Sequence, residues 1–104
     1  MICRLWHGRT QRSKADSYAK FLEQRAIPDY RSVSGNLSVA IMRRDEENVT
    51  HFVTVTYWES ETCIRAFAGE ELLKAKYYPE DNDYLLEFEP QVQHYTIVAG
   101  DGAV

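Results

Sequence analysis

The chain has 104 residues, of which 44% are hydrophobic and 27% are charged, and its formal net charge is −4. This length and composition are typical of one globular domain. The longest uninterrupted apolar run is four residues, at positions 39–42. Such a run is too short for a membrane-spanning helix or for the core of a signal peptide, so we expect a cytoplasmic protein with no membrane partner.

The cysteines and the distribution of charge exclude further classes. Cys3 and Cys63 lie far apart and outside any CxxC or zinc-binding spacing, so we expect free thiols that pack as small hydrophobic side chains. Residues 1–44 contain nine Lys/Arg against three Asp/Glu, and residues 45–104 contain three against thirteen. The basic residues are spread out and not clustered, so no nucleic-acid partner is predicted. Solvated faces, or complementary halves that meet across a dimer, explain the asymmetry.

The first half of the chain predicts three strands and one helix. Alternating side chains predict a strand over residues 2–9. Apolar residues at helical spacing then predict a helix that ends at Pro28: Ala15, Tyr18, Leu22 and Ala26. Residues 37–44 and 49–58 alternate again and are joined by a short polar loop, which indicates a β-hairpin.

The second half predicts a helix and a last strand. Ser60 can cap a helix that carries Ile64 and Phe67 on one side, and Gly69 interrupts it. A further helical piece is expected over 72–77, followed by a solvated acidic loop at 80–83. Residues 85–90 are expected to be an extended segment or a short strand. The last core strand is expected over 92–99, so the domain spans 1–98 and 99–104 is a loose tail.

The predicted order β-α-β-β-α-β is typical of the ferredoxin-like α+β fold. Its usual strand order is 4-1-3-2, in one antiparallel sheet with both helices on one face. A single chain of this length supplies no layer for the other face. We therefore predict a homodimer in which two sheets pack face to face through Val53, Val55 and Tyr57, forming a dimeric α+β barrel.

Trp58, Glu59 and Ser60 at the end of the third strand, followed by Phe67 nine residues after the tryptophan, resemble the antibiotic biosynthesis monooxygenase family. The resemblance covers nearly the whole chain in element order. It implies dimeric α+β barrels with a pocket in each subunit between sheet and helices. Members of that family include cofactor-independent oxygenases of polycyclic phenols and haem-degrading enzymes.

The resemblance carries over residue by residue only in part. Trp58 matches the strand-end tryptophan near the oxygenase pocket, whereas Thr54 and Ile64 stand where the aromatic oxygenases have asparagine and tyrosine. Phe67 stands where haem-degrading members have a tryptophan, and Tyr77 stands where they have an iron-binding histidine. The resemblance therefore implies a monooxygenase that acts without a cofactor on an aromatic or phenolic molecule, with weak haem binding at best. The alternatives are a non-catalytic binding module for an aromatic or haem-like ligand and a haem-degrading oxygenase.

Six further expectations concern the site. His7 or His94 is the expected catalytic base, because histidine titrates near neutrality. Thr54 and Tyr77 are expected to donate hydrogen bonds to the substrate, Trp58 and Phe67 to form aromatic walls, and Tyr78 to line the mouth. His7 joins this pocket only if the first strand turns it, and not Trp6, towards the helices. No metal site is predicted, since His51 is expected on the opposite face from Trp58 and the three histidines then share no face.

Overall fold

The structure, a computed structural model, describes residues 1–102. Within these residues, four strands form one antiparallel sheet: β1 (Ile2–Gln11), β2 (Asn36–Glu46), β3 (Val49–Trp58) and β4 (Gln93–Thr96). The spatial order β2-β3-β1-β4 is the predicted order 4-1-3-2 counted from the other edge. The predicted ferredoxin-like α+β fold is therefore confirmed. The end of the predicted tail, residues 103 and 104, lies outside the described residues.

The first helix continues past Pro28, so the prediction that it ends there is wrong. It consists of α1 (Ala15–Phe21), a π-helical turn over Leu22–Ala26, and α2 (Ile27–Arg31). A proline inside an α-helix clashes with the carbonyl four residues earlier and lacks the N–H that this carbonyl needs. The π turn directly before the proline changes the bonding partners, because the N–H of Ile27 bonds to the carbonyl of Leu22.

The helix α3 (Glu61–Ala68) begins at the predicted cap, where the Ser60 hydroxyl accepts a hydrogen bond from the N–H of Cys63 at 3.4 Å. It ends at Gly69, whose φ of +89° suits glycine. The predicted helical piece over 72–77 does not form. The Arg4 guanidinium takes up two backbone carbonyls of this segment, and residue 75 donates its N–H to residue 90. These long-range bonds replace helical ones.

Side chains on the strands alternate between two faces of the sheet. Thr54, Thr56 and Trp58 of β3 are buried beneath the helices, whereas Val53 and Val55 are half-buried on the other face. We call that other face the open face. Its residues are Cys3, Leu5, His7 and Arg9 of β1, Ala40, Met42 and Arg44 of β2, and His51, Val53, Val55 and Tyr57 of β3. The predicted division of β3 into two faces is thus confirmed.

Two parts of the last segment pair with β1, along the edge that β3 does not occupy. β4 pairs with residues 2–5 of β1, and Leu85 forms a single β-bridge with Thr10. The expected strand at 85–90 is therefore reduced to that bridge. The expected acidic loop is a 3₁₀-helix over Pro79–Asp83. None of the helices in residues 1–102 is long and apolar enough to cross a membrane.

Candidate functional site

A small enclosed space, which we call the inner cavity, lies between the sheet and the first helix. Its volume is about 10 Å³, which is room for one water molecule. Trp6 and Thr54 reach it from the sheet, and the indole N–H of Trp6 is buried without a hydrogen-bond partner within residues 1–102. The lining residues are Trp6, Tyr18, Leu22, Ala26, Tyr30, Thr54, Lys76, Tyr78 and Asp81.

Phenols, carboxyls and one ammonium form a hydrogen-bonded network around the inner cavity. The Tyr18 hydroxyl donates to Oδ1 of Asp81 at 2.8 Å, and the backbone N–H of Tyr78 donates to Oδ2 of Asp81 at 2.6 Å. The Tyr78 hydroxyl and Nζ of Lys76 both donate to Oδ2 of Asp29, at 2.6 and 3.1 Å. The network joins the first helix to the 3₁₀-helix far along the chain.

Burial and hydrogen bonding move the pKa values of the two carboxyls in opposite directions. Burial raises the pKa of Asp81 above its usual value, although hydrogen bonds from Tyr78 and Tyr18 oppose it. Burial also acts to raise the pKa of Asp29, but hydrogen bonds from Tyr78 and Lys76 outweigh it and hold that pKa below its usual value. Paired acids with separated pKa values are a common arrangement for proton transfer. Asp81 is thus the carboxyl of this site whose pKa lies above its usual value.

A packed aromatic wall stands beside the inner cavity. Tyr30 and Phe67 stack with their ring centroids 4.4 Å apart, and Trp58 lies 5.7 Å from Phe67. Trp58 and Phe67 therefore meet on the helix side, but they do not line the inner cavity. Thr54 and Tyr78 do line it.

A second and much larger space, which we call the outer groove, runs between the segment after α3 and β4. Its volume is about 1100 Å³ and it is open to solvent. Leu72, Leu73, Val92 and Tyr95 supply apolar surface, and His94 is the histidine within it. The remaining lining residues are Glu61, Glu70, Glu71, Lys74, Pro90, Gln91 and Gln93.

His94 is bonded to a buried arginine. Nη1 of Arg4 lies 3.0 Å from Nε2 of His94, and since a guanidinium only donates, Nε2 accepts and the ring proton lies on Nδ1. Burial and then the Arg4 charge lower the pKa of His94. Arg4 also donates to the carbonyls of Leu72 and Lys74, at 2.5 and 3.0 Å. His94 thus presents a donor and not a free lone pair, which does not suit the expected role of base.

His7 lies on the open face, so the expectation that it joins Trp58 in one pocket is wrong. The β1–β3 register pairs Trp6 with Thr54, which places Trp6 on the helix side and turns the next residue, His7, away. His7 bonds to His51 instead, with Nε2 and Nδ1 2.9 Å apart. His7 and His94 are therefore on opposite faces of the sheet.

Tyr77 lies at the edge of the sheet and outside the inner cavity. Its ring meets the Trp6 ring edge to face, with centroids 6.1 Å apart, and its hydroxyl donates to the backbone carbonyl of Glu89. Burial, followed by the nearby Glu89 charge, raises the pKa of Tyr77 to about 12. Its hydroxyl oxygen is therefore engaged and protonated.

The arrangement of one antiparallel sheet with helices on one face places the chain in the class of ferredoxin-like α+β domains. The family model for the antibiotic biosynthesis monooxygenases matches residues 1–76, and the chain belongs to that family. The matched range contains β1, β2, β3 and α3.

Two solved structures share the fold over nearly the whole chain. One is an Arg-to-Ser variant of MhuD with two manganese protoporphyrin IX molecules bound per active site; it is 15% identical, with a TM-score of 0.61, and 98% of this chain and 99% of that chain are covered. The other is described as an antibiotic biosynthesis monooxygenase from Chloroflexus aurantiacus J-10-fl; it is 15% identical, with a TM-score of 0.55 and full coverage of both chains. No curated protein matches the sequence.

The two side chains considered as haem ligands are bonded to other groups. The Tyr77 hydroxyl is bonded to a backbone carbonyl, and Nε2 of His94 is bonded to Arg4. Within residues 1–102, no other histidine lies on the helix side of the sheet. Neither Tyr77 nor His94 is thus free to bind haem iron in this space.

Sequence reasoning missed Asp81 and Arg4. Asp81 stands in an acidic run that is typical of a solvated loop, yet it is only 1% exposed because Tyr18, 63 residues earlier, donates to it. Arg4 belongs to an alternating strand pattern, and this pattern does not show whether its side chain is buried or faces solvent. The one available signal for Asp81 was Pro79. Proline is common at the start of a helix, and an acidic residue often bonds to the free N–H groups of a first turn.

Proposed function

We propose that the protein is a monooxygenase that acts without a cofactor on a small aromatic or phenolic molecule between its sheet and its helices. The observation that carries the proposal is the inner cavity, where a buried carboxyl with a raised pKa meets hydrogen-bond donors and aromatic side chains. Membership of the antibiotic biosynthesis monooxygenase family supports it.

The chemistry requires a base, a dry site and donors for developing negative charge. Asp81 is the proposed base, because a carboxyl with a raised pKa is a stronger proton acceptor than an ordinary one. The substrate anion then reduces dioxygen itself: a ring methylene and O₂ give a ring carbonyl and one water, so no other reductant is needed. The Trp6 N–H, the Thr54 hydroxyl and Lys76 are the proposed donors to the anion and to the reduced oxygen.

Access to this site requires the segment 69–78 to move. It has no helix or strand. Its residues 72–74 line the outer groove, and its residues 76 and 78 line the inner cavity. Hydrogen bonds from Arg4 and from Lys76 hold it in place. A substrate that entered from the outer groove as this segment moved would meet the Tyr30 ring, which lines the inner cavity. Trp58 and Phe67 then keep the proposed role of aromatic walls, and His94 donates from Nδ1 to a substrate oxygen in the groove. Tyr77, which was expected to donate to the substrate, donates to the carbonyl of Glu89 instead.

We also propose that two copies associate through their open faces, as the family's dimeric barrels imply. Val53 and Val55 form the apolar centre of that face and are half-buried in the single chain. A second copy would remove them from water and cover the side of the sheet that has no helices.

A non-catalytic binding module is the second candidate. The outer groove favours it, because its volume of about 1100 Å³ leaves room for a small aromatic molecule and its one histidine offers a donor but no base. A module of this kind would bind aromatic ligands in the groove without consuming oxygen.

Anthrone is a suitable probe, since its conversion to anthraquinone with O₂ releases one water. We expect enzyme-dependent oxygen uptake, with one ¹⁸O atom from ¹⁸O₂ in the product. Asp81→Asn should lower kcat by about 10²-fold or more. Asp83→Asn, in the same 3₁₀-helix but exposed, is the matched control and should keep full activity.

The pH profile separates catalysis from a structural role of Asp81. The base must be ionised, so kcat/KM should rise with pH through the raised pKa of Asp81 and stay flat in Asp81→Asn. Tyr18→Phe retains the carboxylate and removes one hydrogen bond to it, so the rise should move to higher pH. Saturable anthrone binding without oxygen uptake would instead establish the binding module.

A further inference from the structure

Four side chains on the open face form an unbroken hydrogen-bonded chain. Glu89 Oε2 bonds to Nδ1 of His7, and Nε2 of His7 lies 2.9 Å from Nδ1 of His51. Nε2 of His51 lies 3.1 Å from Oε1 of Glu46. The order is therefore carboxyl, imidazole, imidazole, carboxyl. We call it the acid–imidazole chain.

Counting protons shows which charge state completes this chain. It contains three pairs of facing heavy atoms, and we call the space within each pair a gap. Each gap needs one proton to form a hydrogen bond. Ionised Glu46 and Glu89 supply none, so all three protons must reside on the imidazole nitrogens. Two neutral histidines carry two protons and leave one gap with facing lone pairs. Two charged histidines carry four and place two N–H groups against each other in the middle gap.

One charged and one neutral histidine are thus the only pair that satisfies every gap. The charge can lie on either ring. If His51 is charged it donates to His7 and to Glu46; if His7 is charged it donates to Glu89 and to His51. Moving the middle proton across the 2.9 Å gap exchanges these two forms without breaking another bond.

The acid–imidazole chain lies at the edge of the apolar centre of the open face. Met42 and Val53 line a pocket of about 270 Å³ with both histidines. Charged neighbours face it from every adjoining element: Arg44 from β2, Arg9 from β1 and Glu87 from the last segment. These neighbours are themselves paired, Arg44 with Glu46 at 3.2 Å and Arg9 with Glu87 at 2.5 Å. Arg43, which also lines the pocket, pairs with Asp16 and Asp45.

We propose that the acid–imidazole chain is a proton switch of the dimer interface, and that two copies of this chain associate most tightly when each His7–His51 pair holds three protons. The proposal rests on the proposed dimer through the open faces. In the single chain, the side chains of His7, His51, Glu46 and Glu89 are 35%, 16%, 58% and 39% exposed, so water can fill a gap that lacks its proton. Beneath a second sheet that water is excluded, and a missing or surplus proton leaves an unsatisfied buried group.

The direction of the pH effect follows from this count. Histidine changes charge between pH 5 and 8, so both departures from three protons lie within reach of a stable protein. Above the optimum, association must take up a proton to complete each pair, and the dimer weakens as pH rises. Below the optimum, association must release a proton, and the dimer weakens as pH falls. Each of the two copies carries one acid–imidazole chain, so the number of protons taken up or released on association is doubled.

The test is the dimer dissociation constant from sedimentation equilibrium between pH 5.0 and 8.5 at fixed ionic strength. We expect a minimum inside this range, with a constant at least about tenfold larger at either end. His51→Gln can no longer gain a charge, and the minimum should vanish. Glu46→Gln can donate to His51 without a proton from the pair, so the optimum should move to higher pH. His94→Gln, on the other face, is the matched control and should keep the minimum.

Imidazole NMR reads the proton count directly. Long-range ¹H–¹⁵N spectra of the dimer at its optimum should show one charged equivalent shared by the His7 and His51 rings and a neutral Nδ1–H form for His94. A dimer whose dissociation constant is flat across the range, or whose minimum survives in His51→Gln, overturns the switch but leaves the dimer. A protein that is monomeric at every pH overturns the switch and the proposed dimer together.

Discussion

The two faces of the sheet differ in how far the chain itself buries them. On the helix side, Thr56 accepts from the indole N–H of Trp58 at 2.8 Å, and Asp81 accepts from two donors of the same chain. On the open face, Val53 and Val55 remain half-buried beside the acid–imidazole chain. The helices of one chain therefore cover the helix side, whereas the proposed second copy would cover the open face. On that proposal, neighbouring residues of one strand serve folding and association separately.

Replacing Trp58 by alanine should have the largest effect on stability. Its ring is fully buried against Phe67, and its loss should lower the free energy of unfolding by about 3–5 kcal/mol. Urea denaturation at several protein concentrations measures this. The matched variant is Tyr57→Ala, one residue earlier on the open face. Its effect should grow with protein concentration, because it acts through association. If both variants lost the same free energy of unfolding at every protein concentration, the helix side and the open face would not differ in their roles.

Replacing Val55 by aspartate should abolish association and spare the fold. A carboxylate in the centre of the open face has no cation opposite it in the strand register, where Leu5 and Ala40 are its neighbours. Burying that unpaired charge should weaken the dimer by at least about 100-fold. Analytical ultracentrifugation and circular dichroism check the two parts. Val98→Asp adds the same charge at a position that is 92% exposed and should leave the dimer unchanged.

Replacing Gly35 by alanine tests how tightly the helix side is packed. A Cβ at this position would lie 2.2 Å from Sγ of Cys63, and the backbone φ is +92°. We expect a loss of about 1–3 kcal/mol in the free energy of unfolding. Gly69→Ala is the control, since its φ is similar at +89° but a Cβ there has no atom within 4 Å. An equal loss in Gly69→Ala would mean that backbone strain, and not the contact with Cys63, dominates.

Replacing Tyr78 by phenylalanine should have the smallest effect, and that effect should depend on pH. It removes the hydroxyl that donates to Asp29 at 2.6 Å, which should cost about 1 kcal/mol at pH 7. That bond helps to hold the pKa of Asp29 below its usual value. Its stabilisation is therefore present above the usual carboxyl pKa and is lost as pH falls through the lower folded value. Thermal denaturation at pH 7 and pH 3 should show the difference between variant and parent shrink in acid.

Several features of the fold could be predicted because they depend on neighbouring residues. Alternation alone divides Thr54 and Trp58 from Val53 and Val55, since successive side chains of a strand point to opposite faces. Ser60 was recognised as a cap because a hydroxyl directly before a helical pattern satisfies a free N–H group of the first turn. The order of strands and helices then limited the sheet to one common topology.

The orientation of β1 was decided only by tertiary structure. Both of its faces are equally apolar, with Ile2 and Trp6 on one and Leu5 on the other, so alternation cannot choose between them. Pairing with β3 chooses, because Trp6 lies opposite Thr54 and must share its face. The expected pocket with His7 failed for this reason.

The fate of the segment after α3 and of Asp81 was likewise decided by distant partners. Arg4, about 70 residues before this segment, takes the carbonyls that a helix over 72–77 would have used. Tyr18 provides the bond that permits Asp81 to be buried. The sequence by itself determined the local periodicities and caps, which depend on residues within about one helical turn of each other. Tertiary structure decided which polar groups are buried, because an unpaired polar group is costly to bury and its partner lies elsewhere in the chain.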